Sequence, residues 1–171
     1  MTGSDGQVVL TDLHLGTYVV TETKSIDGYT INTTPQTVKI EYKDQNVTVQ
    51  SEATTILNNR QKAEVTVVKK DSATDNPLIG GQYTLYAGND IKNHDGKVIV
   101  TKGAALQTVA TGTDGTASYT VDLPISNSYY IAETKAPKNY FRNSNDVYSF
   151  NFNVMSQDKA EATFTHTFKN D

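Results

Sequence analysis

The segment YVVTETKSIDGY at residues 18–29 returns, without a gap, as YYIAETKAPKNY at residues 129–140. Five positions are identical in the two copies: Tyr18, Glu22, Thr23, Lys24 and Tyr29 match Tyr129, Glu133, Thr134, Lys135 and Tyr140. A repeat over this distance indicates that the chain contains tandem domains.

The match continues on both sides of the repeated segment. An Asp-Gly turn precedes each copy, at Asp5-Gly6 and at Asp114-Gly115. Asparagine-bearing segments close the two repeats, ILNN at 56–59 and FKND at 168–171. The residues that precede Asp114 in the second repeat have no counterpart before Asp5. We therefore predict the C-terminal half of one domain over residues 1–62 and a complete domain over residues 63–171.

The composition favours strands and excludes several classes of partner. Thr, Val and Tyr, which favour strands, are prominent among the 171 residues. The formal net charge of −4 provides no basic surface for nucleic acid or anionic lipid. The chain has no cysteine, which excludes disulfides and thiolate metal sites, and its three histidines lack metal-ligand spacing. We therefore expect no cofactor, no metal, no nucleic acid and no insertion into a membrane.

Alternation of apolar and polar residues predicts strands along most of the chain. Phe150 and Phe152 alternate with polar residues, and Phe164 and Phe168 share one face of the last segment. Asp-Gly, Asn-Pro and Gly-Gly pairs mark frequent turns between these runs. Many short strands with frequent turns are typical of an antiparallel sandwich. We predict an all-β fold of tandem antiparallel β-sandwiches, whose first unit is incomplete at its N-terminus.

Three polar residues continue the inward faces of strands in the complete unit. Lys69 follows Val65 and Val67, Glu133 follows Tyr129 and Ile131, and Asn170 follows Phe164 and Phe168. A lysine, a glutamate and a carboxamide are thereby directed toward the core from separate strands. The alternative is that each strand simply ends there and its polar side chain reaches water. Lys70 falls on the opposite face and is interpreted as a solvated charge.

These three side chains are the groups that amide formation requires. Burial disfavours the charged form of a lysine and of a glutamate. A neutral amine is a nucleophile, and an adjacent carboxylic acid can polarise the asparagine carbonyl and pass protons to the departing ammonia. The predicted product is an amide between Lys69 and Asn170, with Glu133 regenerated. Such a cross-link would stabilise the domain by roughly 4–5 kcal/mol if the loop-entropy relation for disulfides applies to it.

Three stretches of the second repeat resemble a known family. They are VTVVKKDSATDNPLIGGQYTLY at 65–86, DGTASYTVDLPISNSYYIAETKAPKNY at 114–140 and FKN at 168–170. Together they are similar to the CnaB-type (SpaA-like, prealbumin-fold) domains of Gram-positive pilins and surface adhesins, in which isopeptide bonds form. The resemblance implies that Lys69 is the reactive lysine, Asp71 its strand-end neighbour, Glu133 the catalytic acid and Asn170 the acceptor.

The resemblance also extends to residues 5–62, which match the second half of such a domain. Glu22 then takes the place of the catalytic acid. The acceptor is Asn58, or Asn59 if the strand slips by one residue. The first unit has no strand with a reactive lysine, so we expect Glu22 to be idle. We expect this unit to be poorly ordered or to borrow a complementing strand, the alternative being that it closes into a smaller stable sheet.

The function that these patterns favour is structural. We predict a stalk or pilin-like module of a bacterial surface protein, whose chemistry is a single self-crosslinking event and not enzyme turnover. The resemblance implies an extracellular, cell-wall-anchored location, with neighbouring domains of the same protein as partners and a host ligand that is unknown. The sequence contains no recognisable signal or anchor. The alternative is a β-sandwich that binds carbohydrate or host matrix protein, with Tyr140, Phe141, Tyr129 and Tyr130 as candidate contacts.

Overall fold

A computed structural model describes residues 1–45 and 51–171 of the chain. These residues form strands, turns and loops without any helix, so none of their segments is a helical membrane span. The chain divides into two compact units. The first unit comprises Met1–Ser25 and Ile31–Asn58, and the second comprises Ile26–Thr30 and Asn59–Asp171. The predicted all-β fold is confirmed.

The first unit contains two antiparallel strands, β1 (Gly16–Val20) and β2 (Gln36–Ile40). The second unit contains the other strands of the described residues. They are β3 (Lys62–Asp71), β4 (Gln82–Ala87), β5 (Ile91–Lys92), β6 (Val98–Val100), β7 (Ala105–Ala110), β8 (Thr116–Ser118), β9 (Asn127–Lys135), β10 (Val147–Phe152) and β11 (Glu161–Asn170).

Two sheets of the second unit enclose its core. One has the strand order β10-β9-β4-β7, the other has the order β11-β3-β8, and β5 and β6 form a separate hairpin. Aromatic side chains join the sheets across the core. Tyr83 packs against Phe168 with ring centroids 4.6 Å apart, and Phe150 packs against Phe164 at 4.3 Å. Each such pair adds about 0.5–1.5 kcal/mol beyond the burial of its surface.

One strand pair departs from the predicted antiparallel arrangement. β11 lies parallel to β3, and Phe168 is the register partner of Lys69. Parallel neighbours require a long connection, which the intervening strands β4 to β10 supply. Alternation of side chains has the same period in both orientations, so the sequence pattern could not reveal this pairing. The parallel orientation brings the C-terminal ends of β3 and β11 together, which places Lys69 and Asn170 at the same end of the sheet.

The first unit repeats the strand register of the second. Tyr18 is opposite Val38 in the pair β1–β2, as Tyr129 is opposite Phe150 in the pair β9–β10. The Tyr18 hydroxyl donates to the carbonyl of His14 at 2.8 Å, and the Tyr129 hydroxyl donates to the carbonyl of Pro124 at 2.6 Å. The sequence repeat is therefore also a repeat of strand pairing and of hydrogen bonding.

Candidate functional site

The three polar residues that continue the inward strand faces are buried in the second unit. Lys69 is 0% exposed, Glu133 is 4% exposed and Asn170 is 3% exposed. They lie near the ends of β3, β9 and β11, directly beyond the buried residues Val67, Ile131 and Phe168. None of the three reaches water, so the alternative interpretation of solvated strand ends does not hold here.

The carboxylate of Glu133 contacts both of the other side chains. Its Oε1 atom lies 3.4 Å from Lys69 Nζ. Asn170 Nδ2 donates to Glu133 Oε1 at 2.9 Å and to Glu133 Oε2 at 3.1 Å. One carboxylate is therefore placed to exchange protons with the amine of the lysine and with the nitrogen that the asparagine would lose.

Two polar atoms at this site are left without a hydrogen-bond partner. Among the described residues, Lys69 Nζ and Asn170 Oδ1 are both buried and unsatisfied. A buried carbonyl oxygen in this condition costs about 1–3 kcal/mol, whereas the Lys69 amine keeps its ion pair with the Glu133 carboxylate at 3.4 Å. Burial lowers the pKa of the Lys69 amine, and the attraction of Glu133 opposes that shift without cancelling it. The site therefore makes the Lys69 ammonium easier to convert to its neutral, nucleophilic form, beside an unpaired carbonyl oxygen.

Two further groups hold Glu133, and sequence analysis identified neither of them. The Tyr83 hydroxyl donates to Glu133 Oε1 at 3.1 Å, and the backbone N–H of Asn143 donates to Glu133 Oε2 at 3.1 Å. The alternation of β4 could have indicated Tyr83, because Tyr83 and Leu85 share its buried face. No side-chain pattern points to Asn143, since it contributes a backbone group from a loop.

Asp71 and Lys70 lie next to the site, but their side chains bond to groups at the surface of the domain and not to the site. Asp71 Oδ1 accepts hydrogen bonds from the backbone of Ala73 and Thr74, and Asp71 Oδ2 accepts one from the Tyr140 hydroxyl at 2.8 Å. These bonds lower the pKa of the Asp71 carboxyl. Lys70 Nζ pairs with Asp75 Oδ2 at 2.6 Å on the outside, as its opposite strand face predicts.

The first unit contains a similar glutamate–asparagine pair. Asn58 Nδ2 donates to Glu22 Oε2 at 2.6 Å, and the backbone N–H of Asn32 donates to the same oxygen at 2.8 Å. Asn32 follows Glu22 by ten residues, as Asn143 follows Glu133. Asn58 is thus the candidate acceptor that contacts Glu22, whereas the carbonyl of Asn59 accepts from the backbone of Thr30.

The aromatic residues proposed as ligand contacts are mostly engaged within the domain. Tyr129 is buried in the core, and Tyr140 is bonded to Asp71. Tyr130 stacks on Tyr86 with ring centroids 4.9 Å apart. Phe141 is exposed. In the part of the chain that the structure describes, no cluster of His, Cys, Asp and Glu side chains could hold a metal ion.

Several solved structures are similar to this chain at low sequence identity, and those with a TM-score of 0.50 or more share its fold. The Bacillus anthracis TIE protein is 22% identical with a TM-score of 0.69, over 99% of this chain and 27% of that one. The pilus adhesin SpaC of Lactobacillus rhamnosus GG is 17% identical with a TM-score of 0.50, over 94% of this chain and 25% of that one. The major pilin SpaD of Corynebacterium diphtheriae is 21% identical with a TM-score of 0.44, over 66% of this chain and 31% of that one.

The chain therefore spans less than a third of each of these longer proteins. No curated protein matches its sequence significantly. The family model of SpaA, the prealbumin-like fold domain, matches residues 1–55 and 63–168. Each matched stretch contains one copy of the repeated segment with its glutamate, and the resemblance identified from the sequence is confirmed. The chain belongs to the SpaA family of prealbumin-like fold domains.

Proposed function

We propose that residues 63–171 are a structural stalk or pilin-like module. An isopeptide bond between Lys69 and Asn170 locks this module. One observation carries the proposal: the buried carboxylate of Glu133 contacts the lysine amine and the asparagine carboxamide together. The unsatisfied Lys69 Nζ and Asn170 Oδ1 atoms add support, because the reaction replaces the buried amine with an uncharged amide.

The reaction conserves every atom and needs no cofactor. Glu133 takes a proton from the Lys69 ammonium, and the neutral Nζ attacks Cγ of Asn170. Glu133 passes this proton, and the one that Nζ gives up after the attack, to Nδ2 of Asn170, and the bond between Cγ and Nδ2 breaks. The products are one amide bond and one ammonium ion, with the Glu133 carboxylate restored, so the mass of the chain falls by that of one ammonia molecule. Contact between the groups before reaction supplies most of the rate, since positioning alone can contribute about 7–11 kcal/mol to lowering a barrier.

We propose a surface location for this module, in a wall-anchored protein of a Gram-positive bacterium. Membership of the SpaA family and the likeness in fold to a pilus adhesin support this location. A chain without cysteine has no disulfide to stabilise it outside the cell. An amide cross-link would fill that role and would resist reduction. Neighbouring domains of the same protein are the partners that a stalk implies, with residues 1–62 forming part of the preceding domain and residues 63–171 a complete one.

The intact mass of the purified chain tests the bond directly. We expect the chain to be lighter than its sequence by one ammonia molecule, because the second unit forms one bond. Lys69→Arg and Asn170→Ala should each restore the full mass of their sequence. Lys70→Arg is the matched control, since Lys70 lies beside Lys69 on the outer face, and it should still lose ammonia. An unmodified mass for the wild-type chain would refute the proposal.

We propose that the first unit takes a lysine-bearing strand of the kind that β3 represents. In the second unit, β3 lies between β11 and β8. Tyr119 and Leu123, which follow β8, are 8% and 2% exposed, whereas their repeat counterparts Leu10 and Leu13 are 69% and 42% exposed.

The glycines of the two Asp-Gly turns also support the proposal that the first unit takes a strand like β3. A Cβ atom on Gly115 would lie 2.6 Å from the carbonyl oxygen of Lys69 in β3. A Cβ atom on its counterpart Gly6 would meet nothing within 4 Å. Unpaired strand edges recruit strands. The Glu22–Asn58 pair would then receive the lysine of the added strand.

A synthetic peptide with the sequence of residues 63–75 is the probe for this surface. We expect it to bind the full chain and to form a covalent adduct, with the loss of one ammonia molecule per adduct. Glu22→Gln and Asn58→Ala chains, and a peptide with arginine at the position of Lys69, should form no adduct. Absence of both binding and adduct with the wild-type chain would favour the alternative, in which the first unit closes into a smaller sheet by itself.

A further inference from the structure

Tyr83 is a fully buried residue of β4 whose hydroxyl contacts the carboxylate of Glu133. The hydroxyl donates to Oε1, the same oxygen that lies 3.4 Å from Lys69 Nζ and accepts from Asn170 Nδ2. We infer that Tyr83 is a positioning residue for the reaction between Lys69 and Asn170. Its hydroxyl holds Glu133 Oε1 between the two reacting nitrogens, Lys69 Nζ and Asn170 Nδ2. This inference rests on the proposed function.

A bulge in β9 brings Glu133 opposite Tyr83, because Thr134 is the extra residue between the pairs Gln82–Lys135 and Tyr83–Glu133. The pairing of β4 with β9 shifts register between Gln82 and Tyr83, and Tyr83 is directly opposite Glu133 after the shift. Such bulges redirect side chains and are common beside reactive sites. The shift makes the tyrosine and the glutamate cross-strand neighbours on the core side of the sheet, where both are buried.

The ring of Tyr83 also supports the strand that carries the acceptor. It packs against Phe168, which lies two residues before Asn170 on the same face of β11. Tyr83 therefore contacts the carboxylate by its hydroxyl and the acceptor strand by its ring. The backbone N–H of Asn143 holds the other oxygen, Glu133 Oε2. With both oxygens held, the carboxylate has one orientation toward Lys69 and Asn170.

Tyr83 acts as a hydrogen-bond donor and not as a base. Burial and the charge of Glu133 raise the pKa of the Tyr83 hydroxyl far above physiological pH, so the hydroxyl keeps its proton. It contacts neither bond that changes in the reaction. Loss of the hydroxyl would leave Glu133 Oε1 free to rotate away from Lys69 Nζ. Small misplacements of reacting groups cost large factors in rate.

The rate of bond formation in newly synthesised full-length chain tests this inference. The chain is made in a short pulse of cell-free synthesis, and samples are quenched in denaturant at intervals. Mass spectrometry then measures the fraction of the chain that has lost ammonia. We expect Tyr83→Phe to slow bond formation by roughly ten- to a hundredfold. Tyr129→Phe is the matched control, since it also removes a buried hydroxyl with a hydrogen bond, at 2.6 Å to Pro124, away from Glu133. It should leave the rate unchanged.

Replacement of Tyr83 by 4-aminophenylalanine restores a donor at the same place and should restore most of the rate. A purely structural role of Tyr83 would not produce this rescue. If Tyr83→Phe fails to fold, the rate of the 4-aminophenylalanine variant still tests whether a donor is needed at this position. Equal rates for wild type and Tyr83→Phe, equal slowing by Tyr129→Phe, or no rescue by 4-aminophenylalanine would overturn the role of Tyr83. Failure of wild type to lose ammonia would instead overturn the proposed bond itself.

Discussion

Substitution of Glu133 by glutamine is expected to abolish the loss of ammonia while the second unit remains folded. Glutamine has nearly the same volume and keeps an oxygen that can accept from Tyr83 or Asn143. It cannot take a proton from Lys69, so the amine stays charged and the departing nitrogen receives no proton. Because the variant lacks the cross-link and keeps a buried lysine without an anionic partner, the melting temperature should also fall. Intact mass and circular dichroism measure the two effects.

The repeat supplies a matched control for this substitution. Glu22→Gln makes the same change at the equivalent position of the first unit, where Glu22 contacts Asn58. That chain should lose one ammonia molecule, as we expect of wild type, because the substitution leaves the proposed bond of the second unit untouched. If Glu133→Gln chain still loses ammonia, then Glu133 is not the proton shuttle, and another group must be sought.

Strand periodicity was sufficient to place the three central residues of the site. Val67, Ile131 and Phe168 are large apolar residues that must face the core, and the side chain two positions later shares that face. The direction of each side chain thus followed from local sequence alone. Pairing direction did not, since alternation is the same in parallel and antiparallel strands. Tyr83 and Asn143 were missed because their roles depend on a register shift and on a loop backbone.

The choice between Asn58 and Asn59 shows where local pattern fails. Ile56 and Leu57 are both apolar and adjacent, so either could define the inward face. In the structure Ile56 is half-buried while Leu57 is exposed, and Asn58 lies on the face of Ile56. Hydrogen bonds to Glu22 then distinguish Asn58 from its neighbour. Contacts between distant segments, which a single sequence does not display, decided the register.

Substitution of Asn170 by alanine should produce the largest loss of stability. The proposed bond closes a loop from residue 69 to residue 170, and loss of a cross-link of this span costs roughly 4–5 kcal/mol of unfolding free energy by the loop-entropy relation. Chemical denaturation and resistance to proteolysis measure the loss. Asn151→Ala, the same change on the exposed face of β10, should have little effect.

Asn170→Ala also removes the hydrogen bonds to Glu133, and a double-mutant cycle separates this loss from the loss of the bond. Glu133→Gln and Asn170→Ala should both prevent the proposed cross-link. The double variant should therefore be much more stable than the sum of the two losses predicts, because the bond between Lys69 and Asn170 can be lost only once. Additive losses would mean that the two substitutions do not act through loss of the same bond between Lys69 and Asn170.

The same variant should change how the chain responds to force. β3 is the first strand of the second unit and β11 is its last, so tension applied at the two ends of the chain enters the sheets of this unit through these strands. With the bond in place, force passes directly from residue 69 to residue 170, and residues 70–169 stay in a closed loop. Asn170→Ala should release that loop and add about 350 Å of extension in single-molecule pulling. The first unit unravels in both chains and serves as the internal control. A wild-type chain that gains the same extension would show that the module does not bear load through a covalent link.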